Sequence, residues 1–352
     1  MRFTRSSVIL AVAGALLIVA GLLVRFAVLP SVNKLPGDLN STVQYQGGYT
    51  GINPAALSGA AGNPLVRDVP STASRTIATD SVDGNTAVVT ETVKRTIGGQ
   101  AQPVTADRFA VDRVDYGSVA APSGAQNVVA SKGQIFSLPQ NPSTTTTYQL
   151  WDSTTSAAYP MKYQKTTTLE GRTVYDYRWV AKGSITNPAA LGLPTSLSKA
   201  QVTGLAPTLA SLLPADVVAR LQGVLSQLPA TIPLTWTSTR DATFSVDSRM
   251  GTPIKTASSQ QINAQLPLGI ASVPFSTLTL TSTAASRKST ADDGSSNATK
   301  LTWIGTITPI VLVVLGLFLV VGALLLARRN AGSAAPGGTA GRSGAQRTSV
   351  PA

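Results

Sequence analysis

Two long apolar runs, one near each end of the chain, constrain the fold more than any other feature. Residues 8–29 are apolar except for Arg25, and residues 304–327 are apolar except for Thr306 and Thr308. At 1.5 Å per residue, helices of these lengths extend for about 33 and 36 Å. Each is long enough to cross a hydrocarbon core of roughly 30 Å. The sequence therefore predicts two transmembrane helices.

A cleaved signal peptide is the alternative interpretation of the first run, because Arg2 and Arg5 precede it. The run is longer than the usual signal-peptide core of about 7–15 residues. No A-x-A cleavage site follows it, since the chain leaves the run as Phe-Ala-Val-Leu-Pro-Ser over residues 26–31. An uncleaved membrane anchor is the favoured interpretation.

The positions of the basic residues predict the orientation in the membrane. Arginines precede the first run, and Arg328, Arg329, Arg342 and Arg347 follow the second. Basic flanks stay on the cytoplasmic side of a membrane, so both termini are expected there. Arg25 is expected to extend toward the outer headgroups. The organisation that follows is a cytoplasmic N-terminus (1–7), a transmembrane helix (8–29), an extracytoplasmic β-rich domain (30–302), a second transmembrane helix (303–327) and a disordered cytoplasmic tail (328–352).

The long middle segment alternates apolar and polar residues in the manner of β-strands. Three stretches combine this alternation with turn residues and predict β-hairpins: 75–97 with its turn at 83–85, 163–180 with its turn at 170–172, and 242–257 with its turn at 249–252. The predicted fold class is α+β, a mostly antiparallel β-rich extracytoplasmic domain with a small helical insertion, flanked by N- and C-terminal transmembrane helices.

The helical insertion is predicted over about residues 188–233, where Leu and Ala replace Thr and Val. Residues 214–228 have helical apolar spacing, and residues 196–205 form a weaker second helix. Packing against the β-rich body is the simpler interpretation, and an exposed apolar cap that contacts lipid or a partner is the alternative. Residues 286–300 are Ser- and Asp-rich and predict a solvated linker.

The composition excludes several kinds of active site. The chain has no cysteine and no histidine, so disulfides, thiolate or imidazole metal sites and a Ser-His-Asp triad are excluded. The net charge of +12 comes largely from arginines that flank the membrane runs. The remaining basic residues are scattered, which is not typical of nucleic-acid binding.

Short motifs give no catalytic constellation. Two S-x-x-K matches, Ser31 to Lys34 and Ser196 to Lys199, lack the companion motifs of serine acyltransferases. Asp80, Asp83 and Asn85 lack the spacing of a calcium loop. Asp112 and Asp115 with Arg108 and Arg113 predict surface ion pairs. We therefore predict no catalytic, cofactor-binding or metal-binding residues and no cofactor.

Several short motifs between the runs are similar to those of a known family. They are Phe109 to Arg113, Trp151-Asp152, Tyr159 to Tyr163, Glu170 to Tyr177 and Phe244 to Pro253. With the two terminal helices, the chain resembles an actinobacterial membrane-protein family of unknown function that is also called the PorA-family porins. The resemblance implies a pore. A porin in the usual sense is a closed barrel with an outward apolar band, and helical anchors are not part of that design.

Three functions are therefore compared. The favoured hypothesis is a non-enzymatic, double-anchored cell-envelope protein whose extracytoplasmic domain binds lipid, cell-wall polymer or a protein partner. The alternative is an oligomeric pore or transport component, which requires several copies because two apolar helices cannot line an aqueous pore alone. The third is a Ser/Lys-dependent hydrolase. The expected partners are the lipid bilayer, envelope lipid or polymer and further copies of the chain, and no nucleic acid.

Overall fold

The computed structural model describes residues 5–52, 65–210, 229–265 and 272–332, with a few isolated positions between 211 and 228. The chain divides into two compact units. The membrane unit comprises Met1–Val32 and Lys300–Ala352, and the sheet domain comprises Asn33–Thr299.

The membrane unit contains two long apolar helices, as predicted. The first consists of Arg5–Leu23, a π-helical turn at Val24–Val28 and a last turn at Leu29–Val32. The second begins with a π-helical turn at Trp303–Ile307 and continues as Thr308–Gly332. Both are long and apolar enough to cross a membrane by length and composition.

Glycines bring these two helices together in an antiparallel pair. A Cβ atom placed on Gly14 would lie 2.5 Å from the carbonyl oxygen of Gly316, and one on Gly21 would lie 3.0 Å from that of Pro309. Small residues allow close approach of helix backbones where lipid supplies no hydrophobic drive for association. The guanidinium of Arg25 donates a hydrogen bond of 2.7 Å to the carbonyl oxygen of Gly305. Arg25 therefore has a hydrogen-bond partner on the second helix, whereas its expected position near the outer headgroups stays a prediction.

The sheet domain is built mainly from β-strands. In chain order the strands of the described residues are β1 (Asn40–Ile52), β2 (Leu65–Asp83), β3 (Thr86–Ile97), β4 (Gln100–Ala101), β5 (Thr105–Asp112), β6 (Tyr148–Asp152), β7 (Ala157–Leu169), β8 (Arg172–Ser184), β9 (Ser196–Ser198), β10 (Thr231–Pro233), β11 (Thr235–Asp247), β12 (Pro253–Gln265) and β13 (Ser272–Ser282).

Eleven of these strands form one antiparallel sheet. The order along it is β4-β3-β2-β1-β13-β12-β11-β8-β7-β6, and β5 also pairs with β3. All three predicted hairpins are present, as β2–β3, β7–β8 and β11–β12. Five of the six arms are longer than predicted, because neighbouring strands extend pairing beyond the clearly alternating residues, and β3 has the predicted bounds. The predicted fold class is confirmed.

The sheet is not a closed barrel. Between the edge strands β5 and β6 lie isolated bridges from Val111 to Ser118, from Gly117 to Gln134 and from Gln134 to Leu150. Irregular backbone therefore lies between these two strands, where a closed barrel would have continuous strand pairing. Residues 135–138 of this segment lie over one face of the sheet, where Ile135 and Leu138 are buried in its core.

Buried side chains form separate clusters over this face. One contains Phe109 and Val89, another Trp179 and Tyr177, and a third Trp236. In the third, the Trp236 and Phe275 rings are 4.8 Å apart between centroids and nearly perpendicular. Such contacts combine a large buried apolar area with edge-to-face attraction.

The segment predicted as a helical insertion is partly described. A 3-10 turn covers Ala189–Leu191, β9 and β10 pair with each other, and a helix spans Lys199–Ala210. Val202 and Leu205 of this helix are buried in the same cluster as Trp236. For this helix, packing against the body is the correct interpretation. The predicted helix at 214–228 lies largely outside the described residues.

The expectation of a solvated linker before the second membrane run is wrong. Ala284–Thr302 is α-helical and is continuous with the apolar helix that follows. Ala291 is buried against Val174 and Ile254. The polar composition of this segment did not predict a helix, because the packing of Ala291 against the sheet domain depends on residues far away in the chain. The tail was predicted to be disordered from residue 328, but its first residues, 328–332, continue the helix Thr308–Gly332. The rest of the tail, from 333 onward, lies outside the described residues.

Candidate functional site

The sheet domain contains a cavity of about 150 Å³. Strands from both halves of the sheet contribute to its wall, and residues 135–138 and 153–154, which lie outside the strands, contribute the rest. The cavity is the candidate functional site, because it combines apolar walls with several charged side chains, the arrangement typical of ligand pockets.

Aromatic and aliphatic side chains form the apolar wall. They include Met161, Trp179, Phe244, Leu278 and Leu280. The rings of Trp179 and Phe244 meet edge to face, with 6.2 Å between centroids. Trp179 is only 2% exposed and Phe244 is 8% exposed, so this wall is held in place by the core.

An ion pair crosses the polar wall. The Nε of Arg75 lies 2.6 Å from the Oε1 of Glu91, and its Nη2 donates to the carbonyl oxygen of Ile135 at 3.3 Å. These residues lie on neighbouring strands β2 and β3. Their charges neutralise each other locally, and the pair joins the sheet to the segment that covers it.

Two further arginines line the cavity, Arg95 on β3 and Arg240 on β11. Within the described part of the chain, neither guanidinium has a hydrogen bond or a salt bridge. Burial lowers the pKa of Arg95 below its usual range, the positive charge of Arg240 lowers it further, and Glu91 opposes both effects. The Arg240 Cζ atom lies 5.7 Å from the centroid of the Trp179 ring, a cation–π distance.

The other carboxylates of the cavity have local partners. Asp152 accepts hydrogen bonds from the backbone N–H and hydroxyl of Thr155, at 3.1 and 2.7 Å. Burial raises the pKa of Asp107, a hydrogen bond from Ser153 lowers it, and the nearby charge of Glu91 raises it further. The cavity is lined by three arginines and three carboxylates, so its formal charges balance. Arg95 and Arg240 are the two arginines of the cavity that have no salt bridge among the described residues.

Two indole N–H groups near the cavity are buried without an acceptor. The Nε1 atoms of Trp151 and Trp179 have no hydrogen-bond partner among the described residues, and both atoms are almost completely inaccessible. A buried donor without an acceptor destabilises the fold by roughly 1–3 kcal/mol. Other atoms of the two side chains line the cavity, but these N–H groups do not face it.

The first S-x-x-K motif shows no catalytic arrangement. The hydroxyl of Ser31 donates to the carbonyl oxygen of Val28, and the ammonium of Lys34 donates to the side chain of Asn85.

The second S-x-x-K motif lies at the start of a helix. Ser196 is in β9 and Lys199 begins the helix. Ser198 and Gln201 form a capping box, in which the backbone N–H of Ser198 donates to the Gln201 side chain and the backbone N–H of Gln201 donates to the Ser198 hydroxyl. This is the local role of a helix N-terminus.

The acidic motifs of the sequence have structural roles. Asp80 accepts from Arg108 at 2.9 Å and from Thr90. Asp112 accepts from backbone N–H groups in its own turn, and Arg113 donates to carbonyl oxygens. The predicted pairing of Asp112 and Asp115 with these arginines is wrong, because the turn geometry satisfies the carboxylates first. No cluster of three or more metal-ligating side chains occurs among residues that the structure describes.

Sequence reasoning missed the cavity arginines, although strand alternation carried a signal. Ala87, Val89, Glu91, Val93 and Arg95 are two residues apart on β3 and point to one face. Ala87 and Val89 are fully buried, so the same face carries Glu91 and Arg95 inward. The sequence did not indicate that charged residues of distant strands, such as Arg240 on β11, line the same cavity as Arg95.

Together, two apolar helices and a large antiparallel sheet domain with an internal cavity define a membrane protein with helical anchors. The family model described as Porin PorA matches residues 6–325. The chain belongs to this family.

Other comparisons add little. A search of curated proteins finds no match. Among solved structures, a protein assigned as a thioesterase II from Thermobifida fusca YX is 12% identical, with 68% of this chain and 77% of that chain covered and a TM-score of 0.11. A conserved hot dog fold protein of unknown function from Alicyclobacillus acidocaldarius is 12% identical, with coverages of 71% and 81% and a TM-score of 0.11. TM-scores this low carry no argument about fold or function.

Proposed function

We propose that this protein forms a membrane pore as an oligomer, and that it has no enzymatic activity. The observation that carries the proposal is the family match over residues 6–325, which includes both apolar helices and the whole sheet domain. Transport of solutes through the bilayer is the function that this family name implies.

Several copies are required because one helix pair offers no aqueous path. The side chains that the pair exposes between residues 8 and 24 are apolar, among them Ile9, Leu16 and Val19. The closest contact, at Gly14 and Gly316, leaves no space between the two helices. A water-filled lumen therefore needs further helix pairs around it.

Polar groups within the helices lie toward one end. Arg25 and Thr306 are exposed, and Thr308 is partly buried. Ionisable residues within membrane helices usually face a bundle interior or a water-filled path. The proposed oligomer places Arg25 at this end of the lumen, where its positive charge favours anions.

Conductance of the full-length protein in planar bilayers tests the pore. We expect discrete channel openings and an anion preference that declines in Arg25→Gln. Arg178→Gln is the matched control, because Arg178 is exposed in the sheet domain and pairs with Asp241 at 2.6 Å. Absence of channel activity from protein shown to be oligomeric by native mass spectrometry would contradict the proposal.

The orientation belongs to the same proposal, with both termini cytoplasmic and the sheet domain outside. The chain has no cysteine, so a single introduced cysteine reports its own location. In intact cells, a membrane-impermeant maleimide should label Lys94→Cys, an exposed position on β3, and should leave Arg328→Cys unlabelled. The opposite pattern would reverse the topology.

A second candidate function is ligand binding by the sheet domain. The observation that favours it is the cavity with two arginines that have no hydrogen bond or salt bridge among the described residues. This function is compatible with a pore, since the binding site and the membrane helices use different residues.

A further inference from the structure

We propose that the cavity of the sheet domain binds a small organic monocarboxylate, with its carboxylate held by Arg95 and Arg240 and its apolar part against Trp179 and Phe244. The proposal rests on the second candidate function, ligand binding, and names the ligand class and the residues that select it.

The two unpaired guanidinium groups point to an anion. Arg75 is paired with Glu91 at 2.6 Å, whereas Arg95 and Arg240 have no carboxylate within salt-bridge distance among the described residues. Arginines remain protonated in proteins, so each of the two keeps its charge and its N–H donors in the cavity. A bound anion supplies the acceptor that both of them lack.

The available donors point to a carboxylate. Guanidinium groups bind carboxylates through two parallel N–H donors, which adds geometric specificity to the charge. A carboxylate offers about four acceptor positions on two oxygens. It therefore has the capacity to satisfy several of these groups at once.

The size and the opposite wall define the rest of the ligand. An apolar cavity of about 150 Å³ in another protein holds one benzene molecule, and this cavity has the same volume. A lipid with two acyl chains is too large to be enclosed. The edge-to-face pair of Trp179 and Phe244 suits a planar ring or a short acyl chain.

The ligand selectivity is tested with benzoate and benzyl alcohol, which share a ring and differ in charge. Isothermal titration of the full-length protein in non-ionic detergent measures both. We expect benzoate to bind at least about tenfold more tightly than the alcohol, since a charge-assisted hydrogen bond is about twice as strong as a neutral one. Equal affinity for the two probes, or no binding of benzoate, would overturn the proposal.

Arg95→Gln and Arg240→Gln test the residues. Each is expected to weaken benzoate binding by about tenfold or more and to leave benzyl alcohol binding unchanged. Lys94→Gln is the matched control, because Lys94 is the next residue along β3 and is exposed on the other face. Unchanged benzoate binding in both arginine variants would overturn the assignment.

Thermal unfolding without ligand separates this role from a structural one. If the arginines serve a ligand, removing a guanidinium group that has no protein partner leaves the melting temperature nearly unchanged. If they serve the fold, both variants melt at a lower temperature, and the proposal fails. Channel conductance of Arg95→Gln is expected to equal that of the unaltered protein, so failure of this proposal and failure of the pore are seen in different measurements.

Discussion

Gly14 and Gly316 face each other across the helix pair of the membrane unit. A side chain on either glycine would collide with the backbone of the other helix. A Cβ atom on Gly14 would be 2.5 Å from the Gly316 carbonyl oxygen, and one on Gly316 would be 2.6 Å from that of Gly14. The two helices can therefore pair at this distance only while both positions remain glycine.

Gly14→Ala is expected to weaken the helix pair. The added methyl group has to displace backbone, and overpacking of this kind destabilises by about 1–3 kcal/mol. Gly322→Ala is the control, because a Cβ atom there meets nothing within 4 Å. Unfolding of the reconstituted protein in SDS mixed micelles measures the difference, and equal loss of stability in both variants would contradict the close contact.

Gly251→Ala is expected to destabilise the sheet domain by about 3 kcal/mol or more, because the new methyl group collides with the carbonyl oxygens of Leu138 and Pro139. Gly171→Ala is matched to it in backbone angle, with φ of 72° against 71° for Gly251, and has open space around its Cβ position. This control is expected to lose only about 1–2 kcal/mol, the strain of a left-handed alanine. Chemical denaturation measures the free energy of unfolding of both variants. Similar losses of stability would show that backbone strain, and not the collision with Leu138 and Pro139, accounts for the effect of Gly251→Ala.

Asp247 is expected to make the sheet domain sensitive to acid. Burial by itself would raise the pKa of Asp247, but the hydrogen bonds from Arg172 and from the backbone N–H groups of Met250 and Arg249 outweigh it and hold the pKa below its ordinary value of 3.8. A carboxylate with a lowered pKa in the folded state stabilises above its unfolded pKa. This stability is lost as the pH falls through the folded-state pKa.

Asp247→Asn should therefore lower the free energy of unfolding at pH 7 by about 3 kcal/mol, because it leaves Arg172 without its buried partner. The variant should also lose the part of the acid dependence that lies below pH 3.8. Asp241→Asn is the control and should lose less than about 1 kcal/mol, since its pair with Arg178 is exposed. Denaturant titrations at a series of pH values test this, and an unchanged acid limb in Asp247→Asn would exclude the mechanism.

Trp236→Phe is expected to destabilise the domain more than Trp151→Phe does. The Trp236 indole donates a hydrogen bond of 2.7 Å to the Pro194 carbonyl oxygen, and its loss leaves a buried acceptor that costs about 1–3 kcal/mol. The Trp151 indole N–H has no acceptor among the described residues, so in ligand-free buffer its removal gives up no hydrogen bond. Thermal unfolding should rank the two variants in this order, and the reverse order would show that ring volume dominates.

Local signals in the sequence predicted the two membrane helices and the three hairpins. The apolar runs are long enough to span a bilayer whatever the rest of the chain does. Each hairpin is specified by neighbouring residues, as in β7–β8, where Glu170 and Gly171 take positive φ values of 48° and 72° and form the turn. Turn chemistry and alternation act over a few residues, so they can be recognised without the fold.

Long-range contacts decided the rest. The order of the sheet places β1 beside β13, and this neighbour relationship brings Arg95 and Arg240 to one cavity although they lie far apart in the chain. The helix at Ala284–Thr302 forms because Ala291 docks on Val174 and Ile254, which polar composition does not indicate. The sequence by itself determined which segments are apolar helices and strands, since periodicity and turns are local properties. Only the tertiary structure decided which charges share a pocket, because the energy of a buried charge depends on partners that the chain order does not reveal.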